Sequence, residues 1–116
     1  MFFDGACTKE SAGAGIVFIS PSKKTSHLSY KLEFKVTNNI AEYEALLLGL
    51  NAAKAKGIRK LQVFGDADLI IQQVNKSFQA KHVRLKAYRD EVLEAIKNFA
   101  DFKISFMPRA MNEVAD

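Results

Sequence analysis

The sequence predicts an α/β domain with a mixed sheet and helices packed on it, and three observations carry that prediction. The segment "HLSYKLEFKV" alternates strictly, with Leu28, Tyr30, Leu32, Phe34 and Val36 on one face and Ser29, Lys31, Glu33 and Lys35 on the other. Period two is the mark of a half-buried strand. The segment from about Asn39 to Lys56 reads as a helix that Gly57 ends as its C-cap. Beyond it, "KLQVFGD" reads as a short buried strand that leads into a second helical segment.

The remaining elements follow in order. "MFFDGAC" is strand-like up to Gly5, and "IVFI" at 16–19 is a short apolar run. "SPSKKTS" supplies turn chemistry, since Pro21 fixes φ and the hydroxyls bond nearby backbone. Three strands joined by turns form an antiparallel meander in the simplest reading. After the long helix and "KLQVFGD", "DADLIIQQV" opens another helix. From Arg84, the residues Leu85, Tyr88, Val92, Ile96 and Phe99 recur at three- and four-residue steps, the spacing of an amphipathic helix. "FKISFM" is a last strand, and "PRAMNEVAD" is a loop at the end. The expected order is β-β-β-α-β-α-α-β, and 116 residues fit one domain, 1–116.

Composition narrows the function classes. Hydrophobic content of 48% and charged content of 26% are those of an ordinary globular domain. No apolar run reaches bilayer length, so no membrane partner is expected. One cysteine, Cys7, excludes an internal disulfide and fits a reducing, intracellular compartment. Two histidines and one cysteine are too few for a structural zinc site. The net charge of +4 leans toward anionic partners. Lys76, Lys81, Arg84, Lys86 and Arg89 concentrate that charge in "KSFQAKHVRLKAYR", either a solvated face or a phosphate-contacting surface. "SAGAGIV" lacks the lysine and the following helix of a phosphate loop and reads as a strand of small residues.

The acids carry the chemistry. At about 100° per residue, Glu42 shares an azimuth with Leu46, Gly49 and Ala53, whereas Glu44 lies opposite with Asn51 and Ala55. Glu44 therefore reads as a solvent-face acid, and Glu42 heads the buried stripe. Two readings of Glu42 stay open: a capping-box residue behind an Asn39 N-cap, or a functional carboxylate. Asp4 stands among apolar strand residues, Asp66 at the carboxyl end of a buried strand, and Asp116 at the end of the chain. Several acids gathered at one end of one sheet are costly to bury without a counter-charge, and hard divalent cations are the usual remedy.

Four segments in order, "FFDGAC", "TNNIAEYEALLLGL", "VFGDADLIIQQV" and "RAMNEVAD", resemble the ribonuclease H domain of stand-alone enzymes and retroelement reverse transcriptases. The Asn-Asn-x-x-Glu-x-x-x-Leu helix start followed by Gly-Asp at a strand end is the specific part. The resemblance implies a ribonuclease H-like fold, a five-stranded mixed sheet flanked by helices. It implies that Asp4, Glu42, Asp66 and Asp116 hold two Mg²⁺ ions, with Mn²⁺ as the alternative, for in-line hydrolysis of the RNA strand of an RNA–DNA hybrid. It further implies substrate contacts at Gly5, Ala6 and Cys7, near the ribose, and at Asn38 and Asn39, in the minor groove. That groove displays the 2′-hydroxyls that tell RNA from DNA.

The chain departs from the family pattern in four places. Ala67 stands where serine is common, and Asp68 where an amide often touches the RNA; Asp68 is read first as a cap of the next helix. The loop before Asp116 has no histidine, and Arg109 offers a positive charge there instead. His27 and His82 fall elsewhere, in a strand and a loop. The chain also reads as clipped at both ends, without a final helix, and as a monomer or part of a longer polypeptide. Two other readings are a hybrid-binding module of a retroelement with weak or no turnover, and a nuclease with another phosphodiester substrate. Retention of all four acids argues against the first, and Asn38–Asn39 ahead of Glu42 argues against the second.

Overall fold

The computed structural model describes residues 1–7, 12–32, 37–76 and 83–108, with the side chains of residues 6, 7, 38, 76, 83 and 84 excepted. Strands β1 (Phe2–Cys7), β2 (Ala12–Ile19) and β3 (Thr25–Leu32) are followed by α1 (Asn38–Ala55), β4 (Lys60–Gly65), α2 (Asp68–Lys76), α3 (Val83–Ile96) and β5 (Asp101–Phe106). The element order is the one expected. The sheet runs β3-β2-β1-β4-β5. β1–β2 and β2–β3 are antiparallel, while β1–β4 and β4–β5 are parallel.

Alternation along the strands decides which face meets the helices. In β2, Ala12, Ala14, Ile16 and Phe18 are buried and the residues between them are not. In β4, Leu61, Val63 and Gly65 are buried. Ala14, Ile16, Phe18, Leu61 and Val63 meet Leu46, Leu50 and Ala53 of α1, Ile70, Ile71 and Val74 of α2, and Val92 of α3 in one core, while Ala12 packs with Leu32 and Ala41 in a smaller one. Phe99, placed by its spacing on the last helix, is buried just beyond it, in the turn before β5. No described helix is long and apolar enough to cross a membrane.

Four local expectations are corrected. β1 does not stop at Gly5 but runs to Cys7, because Gly5 serves a close approach to α1 and makes no turn. α1 begins at Asn38, and its N-cap is Thr37, whose Oγ1 accepts from the Ile40 amide at 3.3 Å. Counted from Thr37, the capping-box position falls on Ile40, so Glu42 lies past the cap. Tyr30 is 39% exposed because β3 is an edge strand with little packed on that part of it; Phe34 and Val36 lie outside the described residues. The predicted helix stop holds: Gly57 takes φ +74° and its amide bonds the Lys54 carbonyl.

Candidate metal centre

Three of the predicted acids reach one point from three elements. Asp4 comes from β1, Glu42 from the first turns of α1, and Asp66 from the residue after β4. One carboxylate oxygen of each lies within 4.8 Å of the others. Two glycines make this approach sterically feasible. A Cβ on Gly5 would collide with the Ala41 carbonyl, and one on Gly65 would stand 2.5 Å from the Phe3 ring. With hydrogen in both places, β1 lies directly against the backbone of α1, and the end of β4 settles over Phe3.

Glu42 is the most enclosed of the three, only 8% exposed. Burial, with the neighbouring Asp4 charge next and Asp66 adding, pushes its carboxyl from the ordinary 4.5 up to about 8, although the Gly5 backbone donates a hydrogen bond to it. Its Oε2 is buried and has no hydrogen-bond partner among the described residues. A buried carboxylate with an orphaned oxygen, grouped with two other carboxylates, is what a hard divalent cation would satisfy, so the donor set fits such an ion.

The other predicted residues divide by position. Asn38 and Asn39 form the first turn of α1, one turn ahead of Glu42. Gly5, Ala6 and Cys7 finish β1, opposite Ala14, Gly13 and Ala12. Asp68 is not in the cluster; it is exposed in the first turn of α2 and accepts from Gln72 Nε2 at 2.9 Å. Arg109 and Asp116 lie outside the described residues, as do Lys81 and His82 of the basic stretch. Arg89 is mostly covered, its side chain only 13% exposed.

The fold recurs in known proteins. Residues 2–116 match the reverse transcriptase-like family. The chain belongs to that family, and its domain is a ribonuclease H domain. Ribonuclease HI of Halobacterium salinarum is 35% identical over 82 residues, which is 71% of this chain and 41% of that protein. A bifunctional protein of Mycobacterium tuberculosis is 30% identical over 82 residues, 71% of this chain and 22% of that protein. The chain thus spans less than half the length of these curated relatives. The crystal structure of the Halobacterium RNase H1 superposes with a TM-score of 0.90 at 30% identity, covering 97% of this chain and 86% of that one. An LC11-RNase H1 solved in complex with an RNA/DNA hybrid gives 0.87 at 25% identity, covering 99% and 88%.

The sequence reading of this ribonuclease H domain missed the polar clasp behind the cluster. Tyr43, next to Glu42, donates to Gln73 Oε1 of α2 at 2.5 Å, and both residues are buried. Tyr88 of α3 stacks on Tyr43 with ring centroids 5.8 Å apart, and donates to Glu44 Oε1 at 2.5 Å. Glu44 is therefore half-buried and bonded across helices, not a plain solvent-face acid, because α3 packs where the helical wheel alone shows open space. A signal for Gln73 existed: it stands three residues after Ile70, on an apolar stripe, where an unpaired amide would be costly.

Proposed function

We propose that this ribonuclease H domain is a divalent-metal-dependent endoribonuclease that hydrolyses the RNA strand of RNA–DNA hybrids. The observation that carries the reading is the convergence of Asp4, Glu42 and Asp66 within 4.8 Å, with one oxygen of Glu42 buried and without a partner among the described residues. A cluster of that charge would repel a phosphodiester if it stayed bare, so it favours phosphate chemistry only with bound cations. The relative solved with an RNA/DNA hybrid supports the choice of substrate.

In this reading Asp4, Glu42 and Asp66, joined by Asp116, hold two Mg²⁺ ions. When bound, these supply an activated water and charge neutralisation at the scissile phosphate. The chain's own residues do the remaining work. Glu42, enclosed by α1 and β1, would give up its proton to ligate a cation and would fix the site against the sheet. Asn38 and Asn39, at the start of α1, read the minor groove, and the Gly5–Cys7 backbone approaches the ribose. Selectivity for RNA then rests on the 2′-hydroxyl and groove shape, with little base preference.

The test is cleavage of an end-labelled RNA–DNA hybrid with Mg²⁺, beside single-stranded RNA and double-stranded DNA. Cutting of the hybrid's RNA strand alone, abolished in Asp66→Asn, is the expected result. A wild-type chain that binds the hybrid but leaves it intact, also when extended past Asp116, would replace this reading with that of a binding module.

A further inference from the structure

Glu42 and Asp66 sit on different elements, with a carboxylate oxygen of each within 4.8 Å of the other. Their separation therefore depends on whatever ties α1 to the segment that carries Asp66. α2 begins two residues after Asp66 and is nine residues long. Its polar ties to the rest of the fold are few among the described residues. Asn75 Nδ2 donates to the Ile104 carbonyl of β5 at 2.9 Å, and Gln73 Oε1 accepts from Tyr43 at 2.5 Å.

The second tie runs straight to the cluster. Tyr43 is the residue after Glu42, it is fully buried, and its partner Gln73 is 5% exposed. A hydrogen bond in that setting is well shielded from water and strongly directional. We propose that Tyr43 and Gln73 are positioning residues: their hydrogen bond sets the spacing of Glu42 and Asp66, and with it the affinity of the cluster for divalent cations. The inference rests on the metal-binding reading of the cluster.

The structure supplies its own control. Tyr88 also donates a 2.5 Å hydrogen bond, to Glu44, but that bond joins α1 to α3 and leads away from Asp66. Breaking it removes a helix-to-helix tie of the same kind without touching the spacing of the acids.

The experiment measures Mn²⁺ binding by electron paramagnetic resonance in the wild type, Tyr43→Phe, Gln73→Leu, the double variant and Tyr88→Phe. Thermal stability and hybrid cleavage are recorded on the same samples. Tyr43→Phe is expected to bind Mn²⁺ about tenfold more weakly. The double variant should be no worse than the weaker single one, as for two ends of one bond. Tyr88→Phe should lose stability while its Mn²⁺ affinity stays within about twofold of wild type. Tyr43→Phe that binds Mn²⁺ as the wild type does, or no more weakly than Tyr88→Phe, would overturn the positioning role. So would a wild type that binds no Mn²⁺ at all. A wild type that binds Mn²⁺ but does not cut the hybrid would count against the nuclease reading alone, with the affinity comparison still deciding this one.

Discussion

A Cβ placed on Gly5 would stand 2.5 Å from the backbone nitrogen of Glu42 and closer still to the Ala41 carbonyl. The obstructing atoms are backbone, so no rotamer change relieves the contact. Gly5→Ala must push α1 off β1, and overpacking of that kind costs about 3 kcal/mol. Gly13 on β2 is the comparison, since among the described residues its Cβ would meet only the Tyr30 carbonyl at 3.5 Å. Urea unfolding of Gly5→Ala and Gly13→Ala should show a large loss for the first and a change below about 1 kcal/mol for the second. Equal losses would mean that the β1–α1 approach is not the constraint described.

The pH dependence of the metal-free protein follows from Glu42. Its carboxyl titrates near 8 in the fold against an ordinary 4.5, so the folded protein keeps a proton that the unfolded chain releases between those values. Stability from this group is whole below about 4.5 and is lost as pH rises to about 8. In a chelator, Glu42→Gln should therefore flatten the decline and exceed the wild type by at least about 1 kcal/mol at pH 8. Denaturant midpoints from pH 5 to 9 would check this. A wild type whose stability rises through that window relative to Glu42→Gln would contradict the buried, carboxylate-flanked placement.

How much of this was legible in the sequence depends on how local each cause is. The element order, the Gly57 stop and the azimuth of Glu42 follow from periodicity and backbone chemistry within a few residues, and they hold. The N-cap was misplaced on Asn39 because Thr37 and both asparagines are all good caps, and only the entry path of the chain selects one. Glu44 and Tyr30 went wrong for a different reason. Their burial is set by what lies opposite, α3 in one case and an open sheet edge in the other, and no local pattern contains that. The convergence of Asp4, Glu42 and Asp66 lies between these extremes. Each acid was visible as an anomaly, but the 4.8 Å spacing needs β1 beside β4, a parallel pairing across more than fifty residues of chain.

Removal of divalent ions should destabilise the wild type and leave Asp66→Asn indifferent. A ligand that binds only the folded state stabilises it by mass action, by about 2.7 kcal/mol at a hundredfold excess over its dissociation constant. Melting at pH 8 with saturating Mg²⁺ and with chelator should differ by several degrees for wild type. For Asp66→Asn the two curves should coincide, because one wall of the cluster has lost its charge. Coincident wild-type curves would deny the cluster a cation.

The start of α1 separates a structural residue from one proposed to read the substrate. Thr37 Oγ1 accepts from the Ile40 amide, satisfying one of the open donors of the helix start. Thr37→Ala should therefore cost about 1 kcal/mol of stability. Asn39 already lies inside the helix, so Asn39→Ala forfeits no cap and replaces a modest helix former with the best one, leaving stability unchanged within about 0.5 kcal/mol. Their effects on the hybrid should run the other way. Asn39→Ala should raise KM for hybrid cleavage by about tenfold, the weight of one lost groove contact of roughly 1.4 kcal/mol, whereas folded Thr37→Ala should cleave with near-normal KM. Steady-state kinetics beside urea melts would show both halves. A stability loss at Asn39 matching that at Thr37 would return the cap to the asparagine, and an unchanged KM in Asn39→Ala would remove Asn39 from the hybrid interface.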